Sequence, residues 1–372
     1  MQSDPFPIKI VESSRFSDHV EAVMSYRAWT TKLILLFPLV ITANAKDIRD
    51  FDPLFSAHDT LDIEFEGPFT LLTRERPDEE ELPGKFRFNA DDGSTIEFDI
   101  VIRTRGNNRR DREICRFPPL RLNFKKSQTK DTLFDKQDKL KLVTHCQNNS
   151  TNYNQAVVSE YLAYRVLNKL TDKSFRARLL RIKYVFTDSS REIETYGILI
   201  EHKDRLGKRI DGKPLAVEAV AVRDLRPADL NLASVFQYFI GNTDFSPIAT
   251  APDDDCCHNQ ALFAGEQGLH QTIPYDFDRT GWVNAPHATP NPRFGLRSVR
   301  VRLYRGRCVN NAHLDATLQV YRERRSDIEA VVNDQAELSK KTRRYLLGFI
   351  ESFYKTIGDP KRLEKRIVKK CI

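Results

Sequence analysis

The stretch Leu61-Asp-Ile-Glu-Phe65 alternates strictly between apolar and acidic side chains, which is typical of a β-strand with one buried face. Further runs with a strand-like pattern follow at 85–88, 96–100, 120–124 and 140–143. Turn-forming sequences such as Pro83-Gly84 separate these runs. The sequence therefore predicts that residues 59–146 are rich in β-structure.

A single amphipathic helix is predicted to interrupt the strands. Its apolar residues repeat at helical spacing over 155–170, and two more strands are predicted at 179–186 and 196–201. A polar connector then leads to a helix that Asp229 would cap and Gly241 would end. Later helices are predicted at 314–332 and 339–357. A β-rich half followed by a largely helical half is an α+β plan with a cleft between the halves.

The composition excludes two broad classes of protein. The 372 residues are 40% hydrophobic and 30% charged, which fits neither a disordered chain nor a bundle of membrane helices. The net charge of +7 is modest for this length, and the basic residues are scattered, so we expect no nucleic-acid partner. One basic turn, Tyr304-Arg-Gly-Arg-Cys308, fits either a substrate contact or a solvated surface.

The N-terminal region has the features of a secretory signal. An apolar run of nine residues at 33–41 follows two basic residues and precedes the small residues 42–45. The run is too short to cross a membrane, which takes about 20 helical residues. The pattern predicts a signal peptide that starts at Met24 and is cleaved after Ala45, so that the mature protein is secreted or periplasmic and has no transmembrane anchor. Residues 1–45 would then be a targeting region. The alternative is that the apolar run at 33–41 is a buried helix in a cytosolic protein.

The six cysteines all follow residue 45, and an even number in an exported chain favours disulfides. The pairings considered are Cys115 with Cys146, and Cys308 with either Cys256 or Cys257, although the sequence alone does not fix them. A zinc site is less favoured, because the chain contains no CxxC pair.

Three polar residues in the second half suit phosphoryl transfer. Asp244 follows the end of a predicted helix, Asn259 comes fifteen residues later, and Asp276 follows a predicted strand. In phosphoryl transfer one carboxylate orients the attacking hydroxyl, while a second carboxylate and an amide oxygen hold a divalent cation against the phosphates. In an extended chain Asp278 would point the same way as Asp276 and could hold a second metal ion. Taken singly, these residues have the alternative of ordinary turn and capping roles.

The order of several motifs resembles the CotH-type family of spore-coat kinase-like proteins. The stretches that carry the resemblance are Ile102-Arg-Thr-Arg-Gly-Asn-Asn108, Pro119-Leu-Arg-Leu-Asn-Phe124, Asp138-Lys-Leu-Lys-Leu-Val143, Tyr196-Gly-Ile-Leu-Ile-Glu201, Ile240-Gly-Asn-Thr-Asp244 and Pro274-Tyr-Asp-Phe-Asp278. The resemblance implies an α+β, bilobed, atypical protein-kinase-like fold. Its β-rich N-lobe, with one helix, would be residues 46–201, and its mostly helical C-lobe would be residues 202–372.

The resemblance also implies roles for individual residues of the second half. Asp244 would be the catalytic carboxylate, and Asp276 and Asn259 would be metal ligands. The family's asparagine normally follows the catalytic aspartate closely, whereas here residues 248–257 intervene. The predicted site therefore requires this insertion to loop out.

In the first half the resemblance implies contacts with the nucleotide. Lys141 would touch its phosphates, with Glu160 as the ion-pair partner of the lysine. The turn Arg105-Gly106-Asn107 would replace a glycine-rich loop, because Gly106 allows a positive φ and an arginine can meet phosphate oxygens. Exposed surface charges and an ordinary hairpin tip are the alternatives.

These expectations combine into one predicted function. The sequence predicts an exported CotH-like kinase that uses ATP or another nucleotide, with Mg²⁺ or Mn²⁺, to phosphorylate a hydroxyl of a protein substrate. Two alternatives stay open. One is a catalytically silent kinase-like module that binds a surface or coat partner, and the other is a protein nucleotidyltransferase.

Overall fold

The computed structural model describes residues 52–251 and 256–372. The predicted signal peptide, Met24 to Ala45, and the whole predicted region 1–45 lie outside these residues. In the described part of the chain, no helix has both the length and the apolar character needed to cross a membrane.

Seven of the described strands form a closed barrel. They are β1 (Leu61–Gly67), β2 (Leu82–Asn89), β3 (Thr95–Thr104), β4 (Leu120–Phe124), β5 (Lys139–Val143), β6 (Ala177–Phe186) and β7 (Glu192–Ile200), in the spatial order β1-β2-β3-β4-β5-β7-β6. All neighbours are antiparallel except β1 and β6, which run parallel with Ile63 opposite Ile182. This parallel pair joins the two ends of the sheet, so the barrel has no free strand edge.

Aromatic side chains fill the barrel. Along β1 every second residue is buried, which is the alternation that the sequence predicts. Phe134, which follows β4 in the chain, lies at the centre of the interior. Its ring centroid is within 5.6 Å of those of four other phenylalanines, Phe86, Phe88, Phe98 and Phe124. Burying these rings is the main apolar contribution to the stability of this half.

Ten α-helices lie in the described residues. They are α1 (Pro53–Ser56), α2 (Phe69–Glu75), α3 (Lys126–Thr129), α4 (Thr151–Leu170), α5 (Lys203–Arg209), α6 (Pro227–Ile240), α7 (Leu314–Glu323), α8 (Arg325–Asn333), α9 (Lys340–Ile357) and α10 (Pro360–Arg366). A small antiparallel sheet, in the order β10-β9-β8, precedes the last four helices. Its strands are β8 (Lys213–Pro214), β9 (Gln260–Ala264) and β10 (His270–Pro274).

The predicted bilobed kinase-like fold is wrong. A closed mixed barrel stands where a β-rich lobe with one helix was predicted, and the described part of residues 46–201 contains the four helices α1–α4. Two of the extra helices are only four residues long and therefore show no amphipathic repeat in the sequence. Closure of the barrel depends on which strands pair, and alternation specifies the faces of a strand rather than its partner.

Most single elements lie where the sequence predicts them. β4 has the predicted bounds, and α4 begins at Thr151, four residues earlier than predicted. α6 begins at Pro227 rather than after a cap at Asp229, because proline has a helical φ and lacks the amide that a cap would satisfy. The predicted end of this helix at Gly241 is confirmed.

The two largest of three apolar clusters organise the described residues. One fills the barrel. The other runs through α4 and β7 into the helices α6–α9, so it contains residues from both sides of position 201. The division of the chain between residues 201 and 202 stays a prediction.

Three disulfides are present, Cys115–Cys146, Cys256–Cys257 and Cys308–Cys371. The first confirms the prediction, whereas the predicted bond of Cys308 to Cys256 or Cys257 is wrong. The C-terminal residues run beside Cys308, since the Ile372 N–H donates to the Gly306 carbonyl at 2.9 Å, and this brings the last cysteine within reach. Three disulfides fit an extracellular or periplasmic protein.

We expect Phe86→Ala to lower the free energy of unfolding by about 3–5 kcal/mol, because it leaves a cavity among fully buried rings. Phe86→Leu retains more of the volume and should cost less. Urea unfolding followed by circular dichroism measures both changes. A loss below about 1 kcal/mol for the alanine variant would contradict the close packing of the barrel interior.

Candidate functional site

α4 holds the segment that carries Asp276. The Asp276 N–H donates to the Tyr164 hydroxyl at 3.0 Å, and the Trp282 Nε1–H donates to the Ser159 carbonyl at 2.8 Å. The ring of Phe277 packs 4.6 Å from that of Tyr164. Two hydrogen bonds and a ring contact thus fix the predicted metal ligand and the residues that follow it to one buried helix.

The loop of Asp244 begins where α6 ends. Gly241 has φ of +66°, a left-handed conformation that stops the helix and that residues with a Cβ rarely adopt. The Asn242 Oδ1 then accepts a hydrogen bond from the Asp244 N–H at 2.7 Å, and the Arg305 Nη1 donates to the Thr243 carbonyl at 3.0 Å. Local and long-range hydrogen bonds therefore hold the loop in place independently of the contacts of the Asp244 carboxylate.

The Asp244 carboxylate lies beside two cationic or polar side chains. The His258 Nε2 is 3.0 Å from Asp244 Oδ1, and the Arg279 Nη1 is 3.7 Å from Asp244 Oδ2. The hydrogen bond with Asp244 raises the pKa of His258, against an opposing effect of burial. This contact occupies the Oδ1 side of Asp244.

The structure brings the three predicted residues Asp244, Asn259 and Asp276 together. Asn259 immediately precedes β9 and Asp276 follows β10, and these strands are antiparallel, so both residues lie at the same end of one hairpin. The Tyr275 N–H donates to the Asn259 carbonyl at 3.2 Å, and the Asn259 Nδ2 donates to the Asp244 carbonyl at 2.6 Å.

The insertion between Asp244 and Asn259 does loop out, as the prediction required. The Ser246 N–H donates to the His258 carbonyl at 2.9 Å, so the chain leaves and returns at one place. Residues 252–255 of this insertion lie outside the described residues. The extra length therefore does not separate the predicted catalytic residue Asp244 from the predicted metal ligand Asn259.

The Asp276 carboxyl group carries an unbalanced charge. Burial and the negative charge of Asp278 raise the pKa of Asp276 to about 6, although the positive charge of Arg105 acts in the opposite direction. The backbone at Asp276 has φ of +60°, which is uncommon for a residue other than glycine. Such residues occur often at binding and active sites, where the surrounding structure maintains them.

A row of cations lies on the barrel, and two of them, Arg105 and Lys141, are close enough to Asp276 to affect its pKa. Arg105 follows β3, Arg121 lies on β4, and Lys141 lies opposite Arg121 on β5. Among the described residues, none of the three has a carboxylate oxygen within 4.0 Å. Lys141 still reaches solvent, but loss of hydration and then the nearby charge of Arg105 lower its pKa to about 8. Its ammonium group lies 5.4 Å from the centre of the Tyr275 ring.

An open groove of about 630 Å³ borders this row. Its lining includes the predicted turn Arg105, Gly106 and Asn107, and Gly106 has the positive φ (+82°) that was predicted. The remaining lining residues are all charged, three acidic and three basic: Asp78, Glu79, Glu81, Arg103, Arg110 and Arg121. Among the described residues, Arg105 and Arg121 have no carboxylate oxygen within 4.0 Å, so their part of the groove favours an anionic ligand, whereas Arg110 is paired with Asp78.

The predicted ion pair between Lys141 and Glu160 is not formed. Glu160 is buried on α4, and its Oε2 is 4.0 Å from the Nη1 of Arg109. Burial and the charge of Asp278 raise the pKa of Glu160 well above its usual value, against the effect of Arg109. Glu160 therefore belongs to a buried cluster behind the row of cations.

Asp278 lies in the same buried cluster, and its side chain does not point in the same direction as that of Asp276. Its Oδ2 accepts a hydrogen bond from the His287 Nε2 at 3.1 Å and is 3.9 Å from the Nη1 of Arg109. Burial would raise the pKa of Asp278, but His287 and Arg109 together lower it. The prediction of a shared direction assumed an extended chain, and the left-handed conformation of Asp276 breaks that assumption.

Sequence reasoning missed His287 and Arg121. His287 stands alone in a loop with no motif around it, so the sequence offered no signal. Arg121 could have been found, because it shares the exposed face of a predicted strand next to the strand of Lys141. His258 could also have been found, since it precedes Asn259 directly.

The donors at the hairpin end suit Mg²⁺ or Mn²⁺. The Asp276 carboxylate and the Asn259 Oδ1 are hard oxygen donors, and Asn259 Oδ1 makes no hydrogen bond within the described part of the chain. No group of three or more His, Cys, Asp or Glu residues in 52–251 and 256–372 is arranged to hold a metal ion. Mg²⁺ commonly takes one or two protein carboxylates and completes its shell with phosphate and water.

Comparisons with known proteins leave the family open. No protein-family model matches the chain, and no curated protein matches it. The resemblance to the CotH-type family, and the site residues that it implies, stay predictions.

We expect Asp276→Asn to stabilise the metal-free protein at pH 8 and to have little effect near pH 4. The folded protein raises the Asp276 pKa from 3.8 to about 6, so it binds this proton more tightly than the unfolded chain does. The ionised carboxylate therefore costs stability that accumulates as pH rises from about 4 to about 6, up to about 3 kcal/mol for a shift of two pKa units.

Urea unfolding in the presence of a chelator, at both pH values, measures this difference. Asp91→Asn in an exposed turn controls for the loss of one negative charge. Equal stability changes for Asp276→Asn at the two pH values would show that Asp276 does not carry the unbalanced charge.

Proposed function

We propose that this protein is an exported phosphotransferase that uses a nucleotide and Mg²⁺ or Mn²⁺ to phosphorylate a hydroxyl of a protein. One observation carries the proposal. Asp276, Arg105 and Lys141 influence one another's pKa values, yet within the described residues neither cation has a nitrogen within 4.0 Å of the carboxylate. Phosphate oxygens and a divalent cation placed between these groups would balance all three charges.

The row of cations supports a nucleotide as the donor. Arg105, Arg121 and Lys141 would bind its phosphate groups, because guanidinium groups match phosphate geometry with two parallel hydrogen bonds and the lysine supplies a compact charge. The groove beside Arg105 offers space for the rest of the nucleotide. We also propose the CotH-type family as the origin of this arrangement of residues, on the motifs given above.

Asp276 and Asn259 would hold the divalent cation. The cation would supply a positive charge that neutralises the phosphates as the phosphoryl group leaves. A carboxylate whose pKa is raised by burial gains most from such a charge, since the cation replaces the proton that it would otherwise bind.

Asp244 would accept a hydrogen bond from the acceptor hydroxyl and orient it for attack. Its Oδ1 is engaged by His258, so Oδ2 is the atom available to the hydroxyl. Arg279, 3.7 Å from Oδ2, lies where it could also approach the transferred phosphoryl group. The hydrogen bond from Asn259 to the Asp244 backbone fixes the loop of Asn259 relative to the loop of Asp244.

Export is the remaining part of the proposal. Residues 24–45 would direct it, and the three disulfides fit the destination. The donor nucleotide must then be available in that compartment, as it is in a secretory pathway of eukaryotic type.

The test is incubation of the secreted protein with ATP labelled on the γ-phosphate, an acceptor protein mixture and either Mg²⁺ or Mn²⁺. We expect Asp244→Asn to reduce transfer about 10²–10⁴-fold while leaving nucleotide binding unchanged, because it removes only the group that orients the hydroxyl. Asp276→Asn should abolish the metal-dependent part of nucleotide binding, measured by titration calorimetry. Asp91→Asn is the control for both measurements.

Two outcomes would replace the proposal with its alternatives. Adducts that carry the nucleotide moiety, seen by mass spectrometry, would make the protein a nucleotidyltransferase at the same site. Failure of every nucleotide to bind in the presence of either metal would leave a catalytically silent module that binds a surface or coat partner.

A further inference from the structure

The segment 279–307 is strongly basic and lies next to the candidate acceptor site. It contains seven arginines and no lysine, aspartate or glutamate. The arginines are Arg279, Arg293, Arg297, Arg300, Arg302, Arg305 and Arg307. We call residues 279–307 the arginine segment. The exclusive use of arginine is informative, because guanidinium groups bind carboxylates in a bidentate geometry that lysine cannot provide.

Arg305 anchors the arginine segment to the Asp244 loop. Its Nη1 donates to the Thr243 carbonyl at 3.0 Å and to the Phe245 carbonyl at 2.8 Å, on both sides of Asp244. Its guanidinium group lies 4.7 Å from the ring centres of both Phe245 and Phe294. The segment is therefore fixed beside the carboxylate that would orient the acceptor hydroxyl.

The arginine segment carries excess positive charge at this place. Burial and, to a smaller extent, the like charges of Arg293 and Arg307 lower the pKa of Arg305 to about 10. Arg279 pairs with Asp244, but within residues 52–251 and 256–372 none of the other six arginines has a carboxylate within 4.0 Å. Arg293 and Arg297 are exposed, and their side chains make no hydrogen bond to the described residues. These guanidinium groups are free to bind an anionic partner.

We propose that the arginine segment binds an acidic stretch of polypeptide and so selects acceptor hydroxyls that have aspartate or glutamate nearby. This inference rests on the proposed function and specifies its substrate class. A polypeptide fits better than a nucleic acid, because no aromatic ring among the described residues is exposed for base stacking. The segment does expose Val301, which is 43% accessible, and Val309 just beyond the segment is 79% accessible, so both offer apolar contacts to side chains of a peptide.

The selection arises from several weak contacts. An exposed arginine–carboxylate pair contributes about 0.2–1 kcal/mol, so two or three pairs change affinity by about one order of magnitude. Such contacts weaken as salt screens them. The arginine segment would therefore bind acceptors with more negative charge more tightly, whereas Asp244 would orient the acceptor hydroxyl.

The test measures binding without requiring catalysis. A fluorescent peptide with one serine between aspartate and glutamate residues is titrated with the secreted protein, and its anisotropy is followed. The comparison peptide replaces each acidic residue with its amide. We expect the acidic peptide to bind at least 10-fold more tightly, and the preference to decrease between 50 mM and 300 mM salt.

Charge-neutral variants locate the surface. Arg293→Gln with Arg297→Gln should weaken binding of the acidic peptide about 3- to 30-fold, because it removes two exposed pairs. Lys340→Gln with Lys341→Gln, in the first turn of α9, removes the same charge from another exposed site and should leave binding unchanged. Arg293→Lys with Arg297→Lys should recover part of the affinity. Thermal unfolding curves show whether each variant is folded.

Equal affinity for the acidic and amide peptides would overturn the inference, as would equal losses in the arginine and lysine double variants. Tighter binding of a single-stranded oligonucleotide of the same charge would assign the arginine segment to nucleic acid instead. Failure of the proposed function looks different: the acidic peptide binds as expected but receives no phosphate. Transfer to both peptides with the same KM would retain the function and reject the selection of acidic acceptors.

Discussion

Everything in the candidate site depends on the packing of α4. Twelve of its twenty residues are buried, and it contacts the barrel strands β6 and β7 on one side and α8 on the other. Its Ser159 and Tyr164 hold the segment from Asp276 to Trp282. This segment in turn contacts the end of α6, where the Trp282 N–H donates to the Ile240 carbonyl at 2.8 Å. The positions of the catalytic candidates therefore follow from one helix that could not move without exposing the larger apolar cluster.

The second constraint is electrostatic. The opposite charges around the site are not paired at close distance. Carboxylates from α4 and from the segment after β10 face cations from the barrel, and most distances between them are near or beyond 4 Å. In a partly desolvated setting such loosely paired charges cost free energy that the packing around them must offset. Burial is the largest cause of both the raised pKa of Asp276 and the lowered pKa of Lys141, and the nearby opposite charges only partly offset it. Proteins keep arrangements of this kind where a charged ligand completes them.

The sequence predicted those parts of the fold that local pattern controls. Alternation located the barrel strands, helical spacing located α4, and Gly241 ended α6, because each of these features is set by residues next to one another. The closure of the barrel was not predicted, since β1 and β6 meet through a parallel pairing that leaves no local signature. The bond of Cys308 to Cys371 was missed for the same reason.

The positions of the candidate-site residues were also predictable only where local pattern controls them. Asp244, Asn259 and Asp276 follow helix or strand ends that the sequence located, and the hairpin of β9 and β10 brings them together. Asp278 was misjudged, because its direction depends on one backbone angle at Asp276 that no residue type dictates. Glu160 was assigned to Lys141 although it faces Arg109, because which charges meet across an interior depends on tertiary packing.

The parallel pairing of β1 with β6 also determines when the first half of the molecule can fold. Its paired residues, such as Leu61 and Leu180, are about 120 positions apart in the chain, and long-range pairing of this kind forms late. Until β6 emerges from the ribosome, the phenylalanine-rich strands before it have no closed wall to enclose them. Because β6 ends at Phe186, about half of the chain must be synthesised before the barrel can close, and apolar strands that stay exposed in that interval are prone to aggregate.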